Sequence, residues 1–547
     1  MQKITSHLMN PITIIPIVFF RVIFGTIMMW EVWRYFHYDR VARYFIEPSY
    51  YFHYFGFEWV KPLAGDAMNW LFVGLAVLAF MIAIGLFYRV AIVIFWFMFT
   101  YVFLLDQTQY LNHFYLVALI SFLMIFIPAH RWWSVDAQIR PSLRSQVVPS
   151  WSLWALRGQM AIVYIYGGIA KINPDWLNGE PMRAWLANRT HFPVIGHLFT
   201  EEWMVQLFSY GGLLFDLLVV PLLLWRKTRI PTLLVAFAFH LTNNELFNIG
   251  IFPWFAMGMT LLFLPPDWFR LRFGEPTNAT PPIDLTHLQK LGLAGFAIFF
   301  AIQALLPLRH FIYPGYVSWT EDGHTLAWHM KLRTKSSGIR IFAIHPESSA
   351  IWQIKLETYL NDRQISKMKD NPEMILRFSH YLGERLTDKF QSPIQIKVWS
   401  MVALNRRATQ LFIDPTVDLT HETDRLGTSD WVLPLIQPPA PHTGNPALLI
   451  SQPSDNVMLL INMTALPFPL DTLTSSTTRD AGIDTLDRRD CVLIYRDEEA
   501  MQTTFPACDV QAYISTSEPL DAVQQDIINH ADNSQCNAKN CIVIVKP

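Results

Sequence analysis

The sequence predicts a polytopic α-helical membrane protein of about nine transmembrane helices, followed by a C-terminal extracytoplasmic α+β, β-rich soluble domain. Three observations predict it: the composition, the spacing of the apolar runs, and the end of those runs near residue 310. Of the 547 residues 52% are apolar and 16% charged, with 40 Phe and 20 Trp, where soluble chains carry about 25% charged residues. The 42 Lys and Arg against 44 Asp and Glu give a formal charge of -2, so no basic excess marks a nucleic-acid surface.

A helix needs about 20 residues to cross about 30 Å of hydrocarbon. Runs of that kind are expected near 11–34, 67–87, 90–106, 111–128, 153–173, 204–225, 230–247, 249–265 and 288–308. The aromatic stretch from Tyr44 to Phe52 is too polar to span and reads as interfacial. Arg21 interrupts the first run, Glu31 follows it, and no small-residue cleavage site appears, so a retained span is expected rather than a signal peptide.

Arg89, then Arg131, Arg140 and Arg144, then Arg226, Lys227 and Arg229, then Arg270 and Arg272 fall in loops on one side. The positive-inside bias makes that side, with the N-terminus, cytoplasmic. Nine spans then leave the C-terminal region outside. Cys491, Cys508, Cys536 and Cys541 all lie there, where disulfides are permitted, although their pairing is not decidable from spacing.

From about 311 the pattern becomes soluble. Ile339 to Ile344 and Ile394 to Trp399 alternate like strands, and 371–386 reads as a helix. Three regions are expected: a membrane domain at 1–310, an extracytoplasmic α+β domain at 311–432, and a Pro-containing linker with a Cys-containing segment at 433–547.

Ionisable groups inside spans are expensive, so each is a functional candidate. Here they are Arg21, His113, Lys171, Asp216, His240 and Glu245. Lys171 ends an apolar run and precedes Ile172-Asn173-Pro174-Asp175-Trp176. Desolvation would leave it a neutral amine and hence a base; the opposing reading is that it snorkels to the interface or pairs with Asp175. Asp216 reads as half of a structural intramembrane pair, with Arg21 or Arg157 as partner. His113 and His240 at helix ends suit either capping or proton transfer. With Lys171, they would converge on one level of the membrane.

A metal site is disfavoured. His324 and His329 are five apart and His191 and His197 six, spacings that do not put both rings on one helical face, and the cysteines all lie beyond the apolar part. No phosphate-binding glycine motif appears.

Several strings resemble the vitamin K-dependent gamma-glutamyl carboxylase family and its bacterial relatives with the horizontally transferred transmembrane (HTTM) domain. They are Phe20-Arg21-Val22-Ile23-Phe24-Gly25, Leu111-Asn112-His113-Phe114-Tyr115-Leu116, Ala170-Lys171-Ile172-Asn173-Pro174-Asp175-Trp176, Phe239-His240-Leu241-Thr242-Asn243 with Leu246 to Phe252, and Trp319-Thr320 with Trp328 and Met330. A sixth is Ala403-Leu404-Asn405-Arg406-Arg407 with Phe412-Ile413-Asp414-Pro415. The resemblance covers roughly 10–425.

It implies an enzyme that oxidises reduced vitamin K, a hydroquinone, with dioxygen to the epoxide and couples this to carboxylation of glutamate in a peptide or protein with carbon dioxide. By motif, Lys171 matches the lysine that deprotonates the hydroquinone, and Asn112 and His113 match the pair assisting the oxygenated species. His240, Asn243, Asn248 and Phe252 match quinol-pocket positions. Trp319, His324, Trp328 and Arg407 match the glutamate-binding side, with His324 where the animal enzymes carry a tyrosine. The partners so implied are the bilayer, a membrane-soluble quinol and a glutamate-containing peptide; no metal is implied.

The chemistry asks for such a coupling. A glutamate γ-proton is far too weakly acidic for a side-chain base, so the driving force must come from a reaction the protein hosts; quinol oxidation could provide it, in a water-poor pocket that keeps a strong base from being quenched. Two other readings stand beside this one. The first is quinol oxidation without protein carboxylation, motivated by His324. The second is a non-catalytic transporter or lipid-binding module, opposed by the lack of repeated halves.

Overall fold

A computed structural model describes residues 7–247, 249–265, 268, 286–423, 429–436 and 439, and the backbone of short strands at 483–484, 491–495, 513–515 and 541–545. Asn248, the Arg270 and Arg272 loop and the cysteine side chains lie outside the described residues. The chain divides into two compact units, 1–312 with 323–332, and 313–322 with 333–547.

The first unit is helical. Among the described residues, a helix occupies each of the nine apolar stretches: α1 (Ile15–His37), α2 (Ala67–Ile84), α3 (Tyr88–Leu105), α4 (Asn112–Phe126), α5 (Trp151–Ala170), α6 (Glu202–Leu224), α7 (Arg229–Phe247), α8 (Phe252–Leu261) and α9 (His287–Leu305). The first run starts later than expected, because Pro11–Thr13 (β1) pairs antiparallel with Val147–Pro149 (β2) and the helix begins only at Ile15.

Among the described residues five helices are long and apolar enough to cross a membrane: α1, α2, α3, α6 and the segment Gln289–Phe311, which takes in most of α9. The other four fall short for separate reasons. With 15 and 10 residues, α4 and α8 rise about 22 and 15 Å. The longer α5 and α7 carry polar groups, Arg157 and Gln159 in one, His240, Asn243, Asn244 and Glu245 in the other. By length and composition the described helices therefore support five candidate spans, and the expected count of nine is not shown.

Small residues set the closest crossing. At Gly25 of α1 a Cβ would lie 2.5 Å from the Ala79 carbonyl oxygen and 2.7 Å from Ala83 Cβ of α2, so only glycine lets these backbones meet. Around it Phe20, Phe24, Phe95 and Phe255 interlock edge to face, and α3 continues the layer against α2 and α4.

The second unit carries an antiparallel sheet ordered β6 (Gln410–Leu411), β5 (Gln395–Leu404), β3 (Lys335–His345), β4 (Ala350–Ile354) and β7 (Ile483–Asp484). Alternate residues Ile396, Val398, Ser400, Val402 and Leu404 of β5 are buried, and α10 (Pro372–Phe390) packs on this strand with Ile375, Phe378, Leu382 and Leu386 buried. Asn371 caps α10 by accepting from the Met374 N–H at 3.1 Å. Beneath the sheet edge the Lys335 ammonium is held by Glu321 Oε1 at 2.5 Å and by the Trp319 and Asp370 carbonyls, while Arg333 clasps the same Glu321 carboxylate. Burial lowers the Lys335 proton affinity and raises that of Asp370.

Candidate functional site

The site is built where α5 ends. A Cβ at Gly168 would lie 2.6 Å from Leu217 Cδ2 and 3.2 Å from the Leu217 nitrogen, so α5 and α6 approach through a glycine. This crossing brings Lys171, on which α5 terminates, opposite Asp216. Lys171 Nζ donates to Asp216 Oδ2 at 2.5 Å and to the Gly167 carbonyl at 3.0 Å, and lies 5.2 Å from the Trp176 ring centroid. The two residues are 7% and 6% exposed. The chain then turns: Asn173 accepts from the Trp176 N–H at 3.0 Å to cap the short helix Pro174–Leu177, and the Trp176 indole donates to the Ser209 carbonyl of α6 at 2.8 Å.

Two sequence expectations are corrected here. The partner of Lys171 is Asp216, not Asp175, and the amine does not stand alone. Asp216 does not pair with Arg21 or Arg157, because both guanidiniums serve backbone carbonyls at and beyond the ends of α4 and α8. Arg21 donates to Ala129 and Trp133 oxygens at 2.8 and 2.6 Å, and Arg157 to Leu262 and Leu264 oxygens at 2.8 and 3.3 Å.

Two turns back on the same face of α5 stands Tyr164, whose hydroxyl is 2.8 Å from His240 Nε2 of α7. His240 is 1% exposed, and its Nδ1 has no hydrogen-bond partner among the described residues. Phe252, at the start of α8, lies 6.0 Å from the His240 ring and 6.3 Å from the His113 ring. Lys171 and Asp216, Tyr164 and His240, then Phe252 and His113 thus form a continuous row. Among the described residues His113 has no hydrogen-bonded partner. Asn243 lies one turn beyond His240 and is half-buried, while Glu245 is exposed and accepts from Asn244. An apolar surface groove of about 500 Å³ runs between α1, α7 and α8, lined by Ile23, Trp30, Phe237, Leu241, Trp254 and Met257 and by none of the row's own residues. Phe237 and Leu241 flank His240 in sequence.

The segment Gly323–Leu332 belongs to this same unit. Its Leu326 N–H donates to the Tyr110 hydroxyl at 2.9 Å, that hydroxyl donates to Asn112 Oδ1 at 2.8 Å, and Asn112 Nδ2 donates to the His329 carbonyl at 3.1 Å. Trp328 stacks on Tyr115 at 5.0 Å, and a Cβ on Gly167 would lie 3.1 Å from Met330 Cε and 3.3 Å from Asp216 Oδ2. Met330 therefore roofs the ion pair, and Asn112 fastens the strand that carries it. Leu326, Trp328 and Lys331 adopt φ of 62°, 60° and 52°, backbone strain that surrounding contacts must sustain.

The residues matched to glutamate binding are not gathered in either unit. Trp319 and Arg407 belong to the second, where the Trp319 indole donates to the Leu433 carbonyl at 2.7 Å and Arg407 caps Leu404. His324 and Trp328 belong to the first, with the His324 ring 5.2 Å from His329. Both Trp319 and Trp328 are 1% exposed, and the Trp328 indole nitrogen has no hydrogen-bond partner among the described residues.

A family model described as HTTM domain matches residues 9–268, and one described as vitamin K-dependent gamma-carboxylase, lumenal domain, matches residues 288–438. The chain belongs to the vitamin K-dependent gamma-carboxylase and HTTM family. Together the two matches span about three quarters of the sequence. No solved structure matches the chain. Family membership and the five apolar helices make this a membrane protein of carboxylase type with a lumenal domain. Sequence reasoning passed over Tyr164, Gly168 and Met330 as site residues. The spacing of Tyr164 and Lys171, seven apart on one helix, carried a signal for the first; nothing local marked the other two.

Proposed function

We propose that the protein couples oxygenation of a vitamin K-type hydroquinone to carboxylation of a glutamyl residue, with Lys171 and Asp216 together as the initiating base. The observation that carries this reading is the buried 2.5 Å contact between the two groups, in one row with an unpartnered histidine nitrogen, together with the apolar surface groove between α1, α7 and α8. An apolar quinol fits that arrangement: the groove suits its tail, and His240 Nδ1 offers a hydrogen bond to a ring oxygen. When bound, the quinol supplies the reducing electrons that dioxygen consumes.

Lys171 and Asp216 carry no net charge as a pair. With the shared proton on Asp216, the Lys171 amine takes the quinol hydroxyl proton and the pair becomes a net cation, which offsets the anion left behind in a medium of low dielectric. Tyr164 fixes His240, and Asn112, already tied to Tyr110 and His329, holds the roof in place. Met330 and Trp328 exclude water, which protects a strong base from quenching. The overall balance consumes quinol, dioxygen, carbon dioxide and one glutamyl C–H, and yields epoxide, water, a second carboxylate and one proton. That proton must leave the pocket at each turnover.

Purified protein in nanodiscs with reduced vitamin K should form epoxide, and Lys171→Ala should lower the rate by about 10² or more. Lys171→Arg should fail too, since arginine stays protonated. Unchanged epoxide formation in both variants overturns the role of the pair. The burial of Trp319 and Trp328 favours a second reading, quinol oxidation without protein carboxylation. Epoxide formed alongside glutamate peptides that gain no carbon-dioxide mass increment selects it.

A further inference from the structure

The last turn of the roof segment carries a cation that the mechanism above does not use. Lys331 Nζ lies 5.4 Å from the Trp185 ring centroid and 5.8 Å from that of Phe247, and these two rings meet edge to face at 5.5 Å. The next residue, Leu332, is buried in a core with Trp176, Leu186 and Leu246, which pins the lysine where the rings receive it. Trp176 is also the ring against which Lys171 rests. Lys331 is thus tethered on one side to the core behind the ion pair and on the other to Met330, which covers that pair.

Among the described residues neither Lys331 nor Arg189, close enough to repel it, forms an ion pair. The nearby Arg183, by contrast, is held by Glu180 at 2.8 Å and Glu202 at 2.6 Å. Lys331 itself is exposed, so its ammonium is open to a ligand; partial desolvation first, and the like charge of Arg189 second, hold it below its ordinary range. Aromatic faces fix an ammonium in place without cancelling its charge.

We propose that Lys331, held against Trp185 and Phe247, binds the side-chain carboxylate of an acidic peptide and so holds the acceptor beside the roof of the Lys171 and Asp216 pair. This rests on the reading that the acceptor is a glutamyl residue, and it assigns the recognition to a group that the buried tryptophans do not supply. The carboxylate would sit against the ammonium, with the peptide's apolar side chains along Trp185 and Phe247.

The test is calorimetric titration of the full chain, in zwitterionic nanodiscs, with a short peptide containing one glutamate and with its glutamine counterpart. A charge-assisted contact of this kind predicts about tenfold preference for glutamate. Lys331→Met, which keeps the stem on the rings and drops the charge, should erase the preference, and Lys331→Arg should retain most of it. The inference falls if Lys331→Met prefers glutamate as strongly as the parent, or if the parent shows no preference. If anionic lipid added to the discs is what Lys331→Met ceases to bind, the site serves a headgroup and the inference also falls. An epoxide assay on the same preparation separates the two claims. Loss of epoxide formation in the parent overturns the proposed reaction whatever the peptides do, while intact epoxide formation with an indifferent Lys331→Met overturns only the peptide site.

Discussion

A lysine that ends a membrane helix against a buried carboxylate has two jobs that single substitutions confuse. Removing either Lys171 or Asp216 strands the other charge, which destabilises a buried pair by about 3–5 kcal/mol. Replacing both at once, Lys171→Met with Asp216→Leu, leaves no stranded charge and should restore most of the lost thermal stability in detergent. It should not restore epoxide formation. Recovery of activity in the double variant would assign the pair to packing alone. The contrast also explains what the local sequence disclosed. The cost of an ionisable group in an apolar run points to Lys171, Asp216, His113 and His240 without further information. Partner choice does not follow from it, since whether Asp216 meets Lys171, Arg21 or Arg157 depends on which helices cross and on which carbonyls the arginines must serve.

Helices enter the chemistry through how near they come. The approach of α5 to α6 passes through Gly168 against Leu217, and a β-branched side chain there must push the helices apart. Gly168→Ile should therefore lose epoxide formation as Lys171→Ala does while far-ultraviolet circular dichroism stays unchanged. Gly211→Ile on α6, where a Cβ meets nothing within 4 Å, is the control and should remain active. Full activity in Gly168→Ile would mean that the crossing does not set the pair. Apolar periodicity located the helices and the alternating strands of the second unit because each needs only local pattern. It does not distinguish a helix that spans from one that is too short, such as the 10-residue α8, and it says nothing of glycines whose role is to admit a neighbour.

At the scale of the chain, the basic loops predict an orientation. An epitope inserted at the exposed turn Glu347–Ser348 should bind antibody on sealed vesicles that present the extracytoplasmic face, and one inserted between Arg226 and Lys227 only after permeabilisation. The reverse pattern would invert the topology. Hydropathy marks one change of character near 310, and so cannot reveal that Gly323–Leu332 belongs with the helices while the residues on either side of it do not. That arrangement has a practical consequence. The polypeptide passes from one body to the other three times, so no single scission yields two self-sufficient fragments: a truncation after 312 discards Trp328, Met330 and Lys331 along with the lumenal part, and any split version of this protein needs those ten residues returned to the membrane half.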